Sequence, residues 1–288
     1  MKALTAFAWL AITLSELPAQ EWRLKLSSSD TAATYDADGS DRGEAEFRDV
    51  RGRLSPDGSQ LATVNTTDGD ADIFVSRADG TEARRLTDND SIDSFPCWTA
   101  DGKRLLFASI RSGKWQVYSM NPDGTDVQQL TEHRIGAWRP IAGPNGQFAY
   151  LIKHESRSKL RPVDLCVVRG EKHETLAKKT FITDHSWSPD GEKIAYSTLG
   201  KLIFHDLSTG MKKEVSLKSI DERLSSHGAY MIVWRPDSLA VACRLFFVGG
   251  RAVGTEMFGD DELFVISTEG ETNWFRPDQP VQRVEWVR

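Results

Sequence analysis

The sequence has few cysteines, no long apolar run and no excess of positive charge. Its 288 residues include three cysteines, an odd number that cannot pair completely within an exported chain, and their spacing does not resemble a zinc site. With 36 Lys and Arg against 42 Asp and Glu, the formal charge is -6, which gives no general attraction to nucleic acid. The apolar run Ala3–Leu14 is too short to cross a bilayer, so no membrane span is expected.

Two signatures of enzyme chemistry are also absent. No Gly-x-Ser-x-Gly elbow supports a nucleophilic hydrolase, and no Gly-x-Gly-x-x-Gly turn supports a nucleotide cofactor, so we expect no cofactor. Beyond the first residues the chain has no helical pattern of ten or more residues, which favours an all-β fold.

The N-terminus has the order of an export signal. Lys2 is followed by the apolar run and then by small residues up to Ala19, which predicts a signal peptide over residues 1–19 and a periplasmic or secreted protein. A buried first strand or helix is the alternative. No cysteine lies near the expected cleavage site, which disfavours a lipid anchor.

A tight turn recurs along the chain. Pro presets φ, Asp or Asn caps its own backbone, and Gly accepts positive φ, so each copy predicts a turn. From Asp57 to Asp237, successive Asp or Asn positions are 44, 44, 45 and 47 residues apart. The five copies are Ser55-Pro56-Asp57-Gly58, Thr99-Ala100-Asp101-Gly102, Gly143-Pro144-Asn145-Gly146, Ser188-Pro189-Asp190-Gly191 and Arg235-Pro236-Asp237-Ser238.

Six turns of a second family alternate with the first, and short segments rich in β-branched and aromatic residues lie between them. Each unit therefore contains about four strands in about 45 residues, as in a propeller blade. The ends of the chain supply the missing first-family turn, since Val284–Val287 matches an inner strand and Trp22–Val50 supplies three more. We predict an all-β, six-bladed β-propeller over residues 22–288, closed by N- and C-terminal strands that share one blade.

Three tryptophans precede the turn Asp by three residues. Trp98, Trp187 and Trp234 are interpreted as packing between blades, with a ligand platform as the alternative. Cys97, Cys166 and Cys243 lie in apolar, strand-like segments, which favours buried free thiols.

The segment Trp187–Ser197, together with Val117–Gly124 and the following Leu130-Thr131, resembles the WD-like repeat of the TolB-like family. This resemblance covers about residues 22–288. It implies a six-bladed propeller in the periplasm that binds lipoproteins or other envelope proteins. TolB itself carries an α/β domain before its propeller, and the residues before the first blade are too few to hold one. The resemblance therefore supports the propeller more than the Tol role.

The loops that lead to the inner strands gather on one rim of a propeller, where partners commonly bind. We expect these loops at Asp88–Phe95, Glu132–Pro140, Thr180–Ser186, Ser219–Ile232 and Arg276–Gln282. Their candidate binding residues are Asp93, His133, Arg134, Trp138, Asp184, His185, His227 and Tyr230. A solvated rim without a partner is the alternative for any one of them.

Two metal hypotheses are weaker. His133, His185 and His227 occupy successive loops and could converge on a metal, but they lie 12, 5 and 10 residues before the next turn Asp or Asn, which predicts different depths. Asp68, Asp70 and Asp72 superficially resemble a calcium loop, without its closing Glu. Residues 249–261 form a long Gly-rich insertion in the fifth repeat, either functional or a mobile tip.

From these residues we expect a monomeric, non-catalytic scaffold that binds an envelope protein or lipoprotein. A propeller lyase or hydrolase, which would act on a glycan through rim histidines and acids, is the alternative. Small-ligand sensing and a role as part of a larger assembly are the remaining alternatives.

Overall fold

The computed structural model describes the backbone of residues 23–27, 32–36, 42–45, 52–67, 70–154, 161–220, 227–247, 263–275 and 283–287. These residues form 24 strands and one helix of four residues, α1 (Leu217–Ile220). No helix in these ranges has the length and hydrophobicity needed to span a membrane. The predicted signal peptide and the insertion at 249–261 lie outside the described residues, so both remain predictions.

The strands form six four-stranded antiparallel sheets, which we call blades 1 to 6 in chain order. Blade 1 contains β24 (Arg283–Val287), β1 (Arg23–Ser27), β2 (Ala32–Asp36) and β3 (Arg42–Ala45); blade 2 contains β4 (Arg53–Leu54), β5 (Gln60–Thr67), β6 (Asp70–Arg77) and β7 (Arg84–Arg85). Blade 3 contains β8 (Asp93–Trp98), β9 (Leu105–Ser109), β10 (Gln116–Met120) and β11 (Gln128–Gln129); blade 4 contains β12 (Ala137–Ala142), β13 (Phe148–Lys153), β14 (Val163–Arg169) and β15 (Lys172–Thr180). Blade 5 contains β16 (Asp184–Trp187), β17 (Lys193–Thr198), β18 (Lys201–Asp206) and β19 (Lys212–Ser216); blade 6 contains β20 (His227–Trp234), β21 (Ala240–Phe247), β22 (Leu263–Ser267) and β23 (Thr272–Phe275).

Blade 1 joins the two ends of the chain. Its strand order is β24-β1-β2-β3, and β24 pairs with β1 from Arg23 opposite Val287 to Ser27 opposite Arg283. The shared blade that the sequence predicted is therefore present, and the six sheets are consistent with six blades. Pairing the two ends covers an inner sheet edge that would otherwise be open to other chains.

The recurring turns are built by their own side chains. In blade 2 the Ser55 hydroxyl donates to the Asp57 carboxylate, which also accepts the Ser59 backbone N–H at 3.1 Å. These bonds, the Ser55 bond most of all, hold the pKa of Asp57 below its usual value. Gly58 has φ of 72°, a conformation that favours glycine. The repeated sequence thus fixes where each inner strand ends.

Tryptophans at the end of the inner strands join neighbouring blades, as predicted. Trp98 Nε1 donates to the Arg53 carbonyl of the preceding blade at 2.8 Å, and Trp234 Nε1 donates to the Ser186 carbonyl at 3.0 Å. Trp187 is buried among side chains of blades 4 and 5 and lies directly over Gly143. Each blade therefore buries its face against the next one, which a single sheet cannot do alone.

The contact between Gly143 and Trp187 gives a prediction about this interface. A Cβ added at Gly143 would lie 2.6 Å from Trp187 Cδ2, which is too close for a real contact. We expect Gly143→Ala to lower the free energy of unfolding by about 1–3 kcal/mol, measured by chemical denaturation. Gly143→Ala combined with Trp187→Leu should cost less than the sum of the two single changes. Simple additivity would contradict the proposed clash.

The three cysteines are free, as expected. Cys166 and Cys243 are buried, as predicted, whereas Cys97 is partly exposed, which differs from the expected burial. Desolvation of the thiol group raises the pKa of Cys243, and that of the half-buried Cys97, to about 12, so both remain protonated thiols near neutral pH.

Candidate functional site

The inner strands of five blades surround a central cavity of about 770 Å³. Strands β4, β8, β12 and β16 contribute most of its wall, and Ile232 of β20 completes it. This volume lies within the range of small-molecule sites, about 300–1,000 Å³. The cavity therefore occupies the centre of the ring that the repeats build.

Three of the inner strands carry a β-bulge at the same position. In blades 3, 4 and 6 two residues lie opposite one, and the first residue of each bulge, Phe95, Arg139 or Met231, has φ of 57°, 49° or 53°. Bulky side chains rarely adopt this left-handed conformation, so the surrounding packing must hold it. The bulges turn Phe95 and Arg139 onto the cavity wall.

In blade 5 the corresponding position is occupied by His185 without a bulge. His185 pairs regularly with Tyr196, is 3% exposed and lines the cavity. Neither ring nitrogen makes a hydrogen bond of good geometry to a described residue. Burial, and secondarily the Arg139 guanidinium, lowers the pKa of His185 to about 3, and the Asp184 carboxylate and the Arg139 backbone oppose this only in part. The imidazole is therefore neutral near neutral pH, with one donor and one acceptor.

Asp184 connects three blades beside this histidine. Its Oδ1 accepts from Arg139 Nη2 of blade 4 at 2.9 Å, and its Oδ2 accepts from the Ile232 N–H of blade 6 at 3.2 Å. Arg139 Nη1 also donates to the Thr183 carbonyl at 2.9 Å. These bonds position the Arg139 guanidinium and fix one side of the cavity.

A second cation on the cavity wall, Arg53, has no such partner among the residues that the structure describes. Arg53 is exposed, and no described carboxylate forms an ion pair with it. The charged side chains that line the cavity in the described part of the chain are Arg53, Arg139 and Asp184. Two positive charges and one negative charge leave a net charge of one positive, because His185 is neutral.

An aromatic cluster, Phe95, Trp115 and Trp138, lies at one mouth of the cavity. The Phe95 ring packs edge-on against Trp138 at 5.4 Å and against Trp115 at 6.2 Å between ring centroids. The ammonium group of Lys153 lies 5.6 Å from the centroid of the Trp138 ring. We call this end the loop rim; residues 88–92, 110–115 and 132–136 lie there, including the exposed Ile92 and Ile135.

Only some of the eight candidate residues predicted from the sequence lie at the cavity. Trp138, Asp184 and His185 meet at the cavity. Asp93 is fully buried, and its carboxylate accepts from Arg111 and Asn89, as in a structural ion pair. His133 and Arg134 lie in the loop before β12, Tyr230 lies in β20, and the side chain of His227 is outside the described residues.

The expected loop boundaries were wrong for most of these positions. The loops end earlier than predicted, so that six of the eight residues lie in inner strands: Asp93, Trp138, Asp184, His185, His227 and Tyr230. The reason is that the inner strands extend past the apolar segments by which the sequence marks them. Positions that face a polar cavity do not need to be apolar.

Sequence reasoning missed Arg53, Phe95 and Arg139. A signal was available for the last two, because Pro96 and Pro140 follow them inside predicted strands and proline is tolerated there mainly at edges and bulges. No comparable signal marks Arg53, whose place in the cavity depends on four other blades.

The structure separates two of the histidines of the metal hypothesis. His133 lies 5.9 Å from Tyr150 between ring centroids, and its pKa is lowered by burial and then by His173, whereas His185 lies beside Arg139. Within the described ranges no three His, Cys, Asp or Glu side chains are placed to hold a metal ion. The metal hypothesis is not tested for His227, because its side chain lies outside the described residues.

The aspartates at the tip between β5 and β6 do not act as a group in the described ranges. Asp72 is fully buried, and its carboxylate accepts from Thr87 at 3.0 Å and from Arg85 at 2.6 Å. It is therefore occupied within its own blade, while Asp68 lies outside the described residues.

Comparisons with known proteins agree with this architecture. A family model described as the TolB beta propeller domain matches residues 42–219. An uncharacterized protein of Agrobacterium fabrum is 28% identical over 152 residues, 49% of this chain and 52% of that protein. Dipeptidyl-peptidase 5 of Porphyromonas endodontalis is 31% identical over 126 residues, 41% of this chain and 18% of that protein. The crystal structure of TolB from Acinetobacter baumannii superimposes with a TM-score of 0.53 at 17% identity, covering 92% of this chain and 66% of that one.

The two curated relatives are matched only in part. The chain spans about half the length of the Agrobacterium protein and less than a fifth of the length of the peptidase. The structural likeness to TolB, at its low identity, shows a shared fold.

Proposed function

Because the chain belongs to the TolB beta propeller domain family, we propose that it is a non-catalytic binding scaffold of the cell envelope, periplasmic or secreted, which holds a protein partner at its loop rim. The family relationship supports the scaffold, and the named TolB structure shares its fold. The peptidase activity in the name of the matched Porphyromonas protein is not assigned to this chain, because the match covers only 18% of that protein.

The observation that carries the proposal is the aromatic cluster at the loop rim. Aromatic residues and arginine are enriched in protein interfaces and supply most of their hot spots. Phe95 and Trp138 stand on inner strands, whereas Trp115 is held from the neighbouring strand end, where its carbonyl accepts the Ala137 N–H at 2.7 Å. A rigid scaffold of this kind presents a contact surface with little loss of conformational entropy.

The proposal predicts cross-linking from one rim only. A photoreactive side chain at Ile135, which is exposed at the loop rim, should cross-link the full-length protein to one discrete envelope protein in intact cells. The same probe at Met211, exposed in the turn at the opposite rim, is the matched control and should not yield that product. Equal products from both positions, or none from Ile135, would refute the loop rim as the binding surface.

Removing a ring of the cluster should weaken this interaction. We expect Trp115→Ala to reduce affinity for the identified partner by about tenfold or more, because aromatic hot spots contribute at least about 1.4–2 kcal/mol. Val127→Ala, at an exposed position outside the loop rim, should leave the affinity unchanged in the same titration. Turnover of a dipeptidyl substrate or an oligosaccharide by the purified protein would contradict the non-catalytic role.

A further inference from the structure

The residues that line the central cavity include three whose buried polar nitrogens have no well-aligned partner in the described part of the chain. Trp138 Nε1 and Trp187 Nε1 are buried and form no hydrogen bond with a described residue. Neither ring nitrogen of His185 forms one of good geometry, although the Arg139 backbone lies close enough to raise the pKa of His185 slightly. All three residues line the cavity. Buried polar groups in folded proteins are nearly always paired, so a cluster of unpaired groups on one cavity needs an explanation. A ligand that brings acceptors would supply it.

The charge of the cavity favours an anion among such ligands. Arg139 is neutralised by Asp184 at 2.9 Å, whereas Arg53 faces the same space without a described carboxylate. A carboxylate carries acceptors only and matches both a guanidinium and an imidazole N–H. A cationic ligand would meet the unpaired charge of Arg53, and a ligand rich in donors would leave the tryptophan N–H groups unpaired.

The rest of the wall accommodates an apolar group. Phe95 and Trp138 close the cavity toward the loop rim. Val64 of blade 2 and Ile232 of blade 6 also line it. The bulges hold Phe95 and Arg139 in strained conformations at the wall, as residues that clamp a ligand often are. The volume of about 770 Å³ admits a small organic molecule.

We infer that the central cavity binds a small organic carboxylate, which accepts hydrogen bonds from Arg53 and His185 and packs its apolar part against Phe95 and Trp138. This site goes beyond the proposed function: it shares Phe95 and Trp138 with the rim cluster, but its polar contacts, Arg53 and His185, do not belong to that cluster. A free small acid and the C-terminal carboxylate of a peptide offer the same chemistry.

Calorimetric titration of the full-length protein with paired probes tests the inference. Benzoate and N-acetylphenylalanine represent free acids, trialanine represents a peptide C-terminus, and the amide of each is its control. At least one carboxylate should saturate the protein and bind about tenfold or more tightly than its amide, because the charge-assisted bonds are lost in the amide. A difference for benzoate or N-acetylphenylalanine identifies a free acid as the ligand class, and a difference for trialanine identifies a peptide C-terminus. Equal affinity for acids and amides, or no saturation by any acid at millimolar concentration, overturns the inference.

Variants assign the two polar contacts. Arg53→Gln should reduce the affinity for the carboxylate by about tenfold or more, whereas Arg77→Gln, an exposed arginine outside the cavity, should not change it. His185→Leu should weaken binding and at the same time raise the melting temperature, since it replaces unpaired buried nitrogens with an apolar group. A purely structural histidine would lower the melting temperature when replaced. Unchanged affinity in both Arg53→Gln and His185→Leu would refute the assignment.

Discussion

Deletion of residues 284–288 is expected to lower the melting temperature of the protein by about 10 °C or more. These residues include four of the five residues of β24, and the deletion removes four of the five residue pairs that β24 forms with β1 at the inner edge of blade 1. Each backbone hydrogen bond contributes about 0.5–1.5 kcal/mol, so the lost pairing amounts to several kcal/mol. One kcal/mol shifts the melting temperature by about 2–4 °C in domains of about this size. The deletion also leaves β1 as an open edge.

A circular permutant provides the control for this deletion. Joining residue 288 to residue 22 through a short linker, with new termini in the exposed turn at Thr209 and Gly210, keeps β24 in place by a covalent bond. We expect the permutant to melt within a few degrees of the parent in differential scanning calorimetry. An unchanged melt of the deletion variant would show that the shared blade does not hold the ring closed.

The second large effect is expected at Asp184. Replacing Asp184 by Ala removes the acceptor of the Ile232 N–H and of the Arg139 guanidinium, and the side chains of Asp184 and Arg139 are only 11% and 26% exposed. Breaking a buried ion pair by removing one partner costs about 3–5 kcal/mol, because the other charge is left unpaired. We therefore expect the free energy of unfolding to fall by that amount in urea denaturation.

Two further variants make the Asp184 result interpretable. Asp184→Asn retains one acceptor oxygen and should fall between Asp184→Ala and the parent. Asp88→Ala removes a surface partner of Arg85 that is 88% exposed, and should cost no more than about 1 kcal/mol. Equal losses for Asp184→Ala and Asp88→Ala would show that Asp184 does not join the three blades energetically.

The candidate site was only partly predictable from the sequence. The sequence indicates Trp138, Asp184 and His185 as polar and aromatic residues of the loops that gather on one rim, and they do meet at the cavity. The same argument indicates Asp93, yet the Asp93 carboxylate pairs with Arg111 inside its own blade. Polar residues in a linear pattern do not reveal their partners. The pairing of Asp93 depends on a strand hairpin, and that of Asp184 depends on two neighbouring blades.

The sequence by itself determined the architecture. Turns spaced by 44 to 47 residues fix the length of each unit, and strands that cannot bury both faces alone must stack until the chain ends meet. Only the tertiary structure decided the chemistry of the centre. The bulges at Phe95 and Arg139, the His185 ring and the Arg53 guanidinium, which forms no ion pair with a described residue, come together where five blades meet. Local periodicity governs each blade, whereas the cavity depends on contacts between residues more than 40 positions apart.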